Sequence, residues 1–112
     1  MEITAEYRDE VVVVSPVGSI DSMTFIEVGA YLSALVKVDK SLIVTDLSGV
    51  DYLSSAGLRT MLATVKECRQ RGGDLRLAAA QRSVYQVLEF AGFTHMIQVF
   101  PDVDAAVASF AA

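Results

Sequence analysis

Between Asp46 and Leu58 the chain reads DLSGVDYLSSAGL, a polar stretch with two carboxylates and the adjacent hydroxyls of Ser54 and Ser55. Three chemistries suit these residue types. A serine where a helical pattern begins meets unpaired backbone N–H groups and the positive end of the helix dipole, so its oxygen can cap the helix, contributing about 1 kcal/mol. The same position suits a phosphoacceptor, because the charge of a phosphoserine finds donors already arranged there. A serine nucleophile would instead need a base, and the one histidine, His95, lies far along the chain beside the expected last strand. No Gly-x-Ser-x-Gly elbow, P-loop or Gly-x-Gly-x-x-Gly fingerprint supports catalysis, so no catalytic residue is assigned. Asp21, Asp46 and Asp51 are the carboxylates from which a magnesium site would be built, but turn and capping roles explain each more simply. Gly57 suits either close approach by a partner's backbone or tight packing of the helix on a sheet.

The elements that must hold this stretch follow from periodicity. Ile3 to Tyr7 alternates apolar and polar residues, and Val11 to Val14 is continuously apolar, which predicts a hairpin whose second strand is buried on both faces. From Ser22, a candidate cap, Phe25, Val28, Leu32, Leu35 and Val36 fall on one helical face. Leu42 to Val44 predicts a buried parallel strand, and the polar stretch after it reads as a long loop. A second helix is expected from about Ser55 to Arg71, with Leu58, Met61, Leu62, Val65 and Cys68 inward and Gly72-Gly73 ending it. Leu75 to Ala79 predicts a strand, Val84 to Phe90 a helix, Met96 to Phe100 a last strand, and Asp102 caps a short final helix. The order is β-β-α-β-α-β-α-β-α, an α/β domain with a mixed, mostly parallel sheet, an N-terminal hairpin and about four helices. In such sheets sites form on loops leaving the carboxyl ends of strands, which is where Ser54 and Ser55 lie.

Composition narrows the function classes. The 112 residues suit one domain, and the 53% of hydrophobic residues suffice for its core. A single cysteine, Cys68, forms no internal disulfide, and no His/Cys cluster suggests zinc, so a reducing compartment and no metal or cofactor are expected. Net charge is -5, contrary to a nucleic-acid binder, and the one basic cluster, Lys66, Arg69 and Arg71, suits the solvated end of a helix. MEITAEYRDE lacks the basic start and apolar stretch of a signal peptide, and no apolar run reaches the roughly 20 residues that span a bilayer. A cytoplasmic domain without membrane insertion is expected.

DLSGVDYLSSAGLR resembles the signature loop of STAS domains, the family of bacterial anti-sigma-factor antagonists. PVGSIDS upstream, and RGGDLRLA, VYQVLEFAGF and FPDVDAAV downstream, fall in the family's order, so the resemblance covers residues 1–112 as one domain. Aligned on Gly57-Leu58, the family's phosphorylated serine is Ser55. Ser54 stands where the family's aspartate usually stands, and Ala56 where Ser or Thr does, as in members with Ser-Ser-Ala-Gly-Leu. Asp21 matches an aspartate near the docking surface, and Ser54, Ala56, Gly57 and Leu58 flank the acceptor as partner-binding positions. The resemblance implies partner switching: the unphosphorylated domain, expected to be a monomer when free, binds an anti-sigma factor that is a serine kinase with a kinase-type ATP-binding fold. Phosphorylation of Ser55 releases it and a phosphatase resets it. The alternative is a constitutive STAS subunit of a transporter or signalling scaffold, in which Ser55 would only cap. On the expectation that Ser55 caps, Ser55→Ala costs about 0.5–2 kcal/mol.

Overall fold

Four consecutive valines, Val11 to Val14, seed the sheet. All four are buried, so their strand has helices on both faces. A computed structural model describes residues 1–111. Its elements are β1 (Glu2–Arg8), β2 (Val11–Ile20), α1 (Phe25–Lys37), β3 (Leu42–Asp46), β4 (Val50–Leu53), α2 (Ser55–Gln70), β5 (Asp74–Ala78), α3 (Arg82–Phe90), a 3-10 turn at Phe93–His95, β6 (Val99–Phe100) and α4 (Val103–Ala108). The sheet runs β1-β2-β3-β5-β6, antiparallel at the β1–β2 hairpin and parallel elsewhere, with β4 also paired parallel to β2.

Alternation along the strands divides the core in two. Val12, Val14, Ile43, Leu75 and Leu77 pack with Val28, Leu32 and Val36 of α1 and Met61, Val65 and Cys68 of α2. Val11, Val13, Val44 and Ala78 face the other way, onto Ala106 of α4. Asp74, near the start of β5, is a buried charge answered twice, by Arg69 Nε at 3.0 Å and Arg76 Nε at 3.1 Å. Arg69 also donates to the Met96 carbonyl and Arg76 to Ser109 Oγ, so one carboxylate ties α2, β5 and the C-terminal segment together. No helix among the described residues is long and apolar enough to cross a membrane.

Three details depart from the sequence reading. The stretch after β3 is not one loop, because Val50–Leu53 forms β4. Its burial runs buried, exposed, exposed, buried, which gives no period-2 signal. β3 pairs with the first half of β2 and β4 with the second half, through Gly18↔Val50, Ser19↔Tyr52 and Ile20↔Leu53, so β4 carries the chain further along the same edge of β2. Second, Ser22 does not cap α1. The Asp21 carboxylate takes the Met23 and Thr24 N–H groups, and the helix starts later, at Phe25. Third, the expected strand from Met96 shrinks to Val99–Phe100, because Phe93 to Ile97 closes turn hydrogen bonds of its own.

The start of helix α2 as a candidate docking site

β4 delivers the chain to the carboxyl end of β2, and the register fixes what meets there. Ile20 is opposite Leu53, so the next residues, Asp21 and Ser54, end adjacent strands. The Ser54 N–H donates to the Ile20 carbonyl at 2.8 Å, fastening the start of α2 to the last residue of β2. Ser54 has extended backbone, and its Oγ accepts the Gly57 N–H at 3.2 Å, which makes it the N-cap. Ser55 is therefore the first helical residue, exposed, and has no side-chain hydrogen bond among the described residues. The capping role falls on Ser54 alone, and the expectation that Ser55→Ala removes a cap is corrected.

Gly57 answers the question left open at its position. A Cβ there would come within 2.7 Å of Leu53 Cδ1 and 2.8 Å of Ile20 Cγ2, so its missing side chain lets the first turn of α2 rest on the ends of β2 and β4. Leu58 is only 6% exposed and packs in the core. Of the expected partner-binding positions, Asp21, Ser54 and Ala56 are half-buried and open to solvent, whereas Gly57 and Leu58 hold the helix from beneath.

Asp21 sits in a local network. Its Oδ1 accepts the Met23 N–H at 2.9 Å and the Thr24 N–H at 3.1 Å, while its own N–H donates to Thr24 Oγ1, whose hydroxyl donates to the Ser19 carbonyl at 2.6 Å. The Met23 N–H first, and the Thr24 hydroxyl and N–H after it, hold the carboxyl below its ordinary 3.8. This fixes a negative charge beside the start of α2. Asp51 accepts from Ser19 Oγ at 2.7 Å and Asp46 from the Ser48 N–H at 3.0 Å, so the carboxylates offered for magnesium each serve a local turn or strand contact. Among the described residues no group of three His, Cys, Asp or Glu side chains is gathered for a metal.

His95 lines a groove with Leu62 and Arg69, at least about 10 Å further along the axis of α2 from Ser55 at 1.5 Å per residue, so its imidazole is not presented to the serine. The Cys68 thiol is buried among apolar side chains, and its pKa is pushed up to about 11, chiefly by that burial. The residues that sequence reasoning passed over are apolar: Met23 (82% exposed) and Ile26 (66%) beside Asp21, and Tyr52 (55%) on β4. Ile26 carried a signal, since it lies off the inward stripe of Val28, Leu32 and Val36. The end of β2, β4 and the first turn of α2 thus present a free hydroxyl, a fixed carboxylate and exposed apolar side chains, a surface suited to binding a protein.

A profile described as the STAS domain matches residues 2–106. BtrV of Bordetella bronchiseptica, named as an anti-sigma factor antagonist, is 34% identical over 110 residues, covering 98% of this chain and 95% of that protein. The crystal structure of an anti-sigma factor antagonist from Mycobacterium paratuberculosis superposes with a TM-score of 0.88 at 27% identity, covering 96% of this chain and 92% of that one. The fold is shared with Bacillus SpoIIAA in its phosphorylated form, at a TM-score of 0.73 and 17% identity over 96% and 98% of the two chains. A matching profile across almost the whole chain, a relative of this identity and a common fold leave one assignment: the chain belongs to the STAS domain family.

Proposed function

We propose that this domain is an anti-sigma-factor antagonist that works in the cytoplasm by partner switching, with Ser55 as its phosphoacceptor. The observation that carries the reading is the division of labour between two serines: Ser54 caps α2, leaving the Ser55 hydroxyl exposed and without a partner among the described residues. The partner is an anti-sigma factor with a kinase-type ATP-binding fold. It docks on the half-exposed Asp21, Ser54 and Ala56, with Met23 and Ile26 supplying apolar contact. In the kinase reaction Ser55 Oγ attacks the γ-phosphorus of ATP, the bond to the bridging oxygen breaks, ADP leaves, and the hydroxyl proton passes to a base of the kinase. The product adds about 1.5 to 2 negative charges where Asp21 already holds one, and this repulsion, with lost fit, separates the pair. A phosphatase that hydrolyses the Ser55 phosphoester restores binding. The domain itself is proposed to have no catalytic role.

The test is incubation with ATP and each candidate kinase from the same genome, followed by mapping of the phosphosite by mass spectrometry. Label on Ser55 that disappears in Ser55→Ala is the expected result. Label that moves to Ser54 assigns the acceptor wrongly, and no label with any cognate kinase favours the constitutive subunit.

A further inference from the structure

The basic cluster on α2 acquires a setting that its sequence did not show. A groove of about 490 Å³ runs between the second half of α2 and the segment after α3. Val65 and Ile97 are buried at its floor with Leu62 half-buried beside them, and Lys66, Arg69 and His95 stand exposed at its rim. No carboxylate among the described residues lines it. Lys66 has no ion-pair partner among the described residues. Arg69 is paired with Asp74, but that carboxylate is shared with Arg76, so the three groups together remain positive by one charge. In a chain of net charge -5 this is a positive rim over an apolar floor.

We propose that this groove docks an acidic segment of a partner protein, with apolar side chains set onto Leu62, Val65 and Ile97 and carboxylates facing Lys66, Arg69 and His95. The charge complementarity selects the chemistry of the occupant, and the open shape suits a peptide segment, since a small ligand is held by enclosure of most of its surface. Lys66 is eleven residues beyond Ser55, about 16 Å along the helix axis, so a partner held here need not meet the phosphoacceptor. Such a surface lets the domain be retained in an assembly whether or not Ser55 carries phosphate, and it stands independently of the proposed switch.

The experiment titrates the isotope-labelled full chain with a short peptide alternating Glu and Leu, read by amide chemical shifts at low salt. Shifts confined to residues 62–69 and 94–98 are expected. Binding should weaken at least about tenfold in Lys66→Glu/His95→Glu, measurably in Lys66→Ala, and not at all in Ser55→Glu, whereas a Lys-Leu peptide should not bind. Thermal melts of each variant separate lost binding from lost folding. The proposal is overturned by shifts at the Asp21 and Ser55 end, by equal affinity for the two peptides, by a folded Lys66→Glu/His95→Glu chain that binds as tightly as wild type, or by acetate alone producing the same shifts, which would assign a small-anion site.

Discussion

Replacing Ser54 and Ser55 separately by alanine separates capping from switching. Ser54 Oγ accepts the Gly57 N–H at 3.2 Å in a half-buried setting, and its loss leaves one donor of the first turn without this partner. Removing a serine N-cap costs about 1 kcal/mol, within a range of about 0.5–2. With an unfolding entropy of about 2.1 cal/mol/K per residue, the 112 residues give about 235 cal/mol/K, so 1 kcal/mol lowers Tm by about 4 °C. Ser55 makes no such bond, and alanine is the better helix former by up to about 0.5 kcal/mol, so Ser55→Ala should leave Tm unchanged or raise it by up to about 2 °C. The two variants therefore split in opposite senses, with Ser54→Ala less stable but still phosphorylated on Ser55, and Ser55→Ala fully stable but unlabelled. Thermal melts followed by circular dichroism, run beside the kinase assay, read both. A larger loss of Tm in Ser55→Ala than in Ser54→Ala would refute the assignment of the cap, and with it the argument that the Ser55 hydroxyl is free.

Four further outcomes are expected. Ser55→Glu should weaken binding to the proposed kinase-type partner at least about tenfold in calorimetric titration, because it adds a carboxylate beside Asp21 at a position where the proposed docking meets a neutral hydroxyl, and Asp21→Ala should weaken it as well. Asp21 has a depressed pKa when folded, so its contribution to stability is present above 3.8 and is lost as pH falls through the lower folded value. Denaturant midpoints on acidification should consequently fall more for wild type than for Asp21→Ala. Asp74→Ala strands the mostly buried Arg76 guanidinium and releases the half-exposed Arg69, which should cost about 2–4 kcal/mol by urea denaturation, at the lower side of the range for fully buried pairs. Thr45 lies between Val14 and Leu77 with its hydroxyl buried and without a partner among the described residues, so Thr45→Val should be neutral or stabilising by about 1 kcal/mol in the same assay.

What the sequence determined by itself was whatever depends on local period or on a local motif. The Val11 to Val14 run, the inward stripes of α1 and α2 and the Asp102 cap are consequences of spacing along one element, and each is found where the spacing put it. The family was legible for the same reason, since DLSGVDYLSSAGLR is contiguous. Tertiary structure decided what depends on which strand ends meet. β4 has no period of its own and exists because β2 is long enough to pair with β3 along one half and β4 along the other. That extension makes Asp21 and Ser54 neighbours, although 33 positions separate them in the chain. It also explains Gly57, whose missing side chain is required by Ile20 and Leu53, one from each of the meeting strands. Which serine caps was undecidable from two identical side chains in succession, because the backbone anchoring of Ser54 to Ile20 sets where the helix begins. The groove over Lys66 and His95 was hidden for the same physical reason: residues far apart along the chain become one surface only when the packing of α2 against β5 and the turn after α3 brings them together.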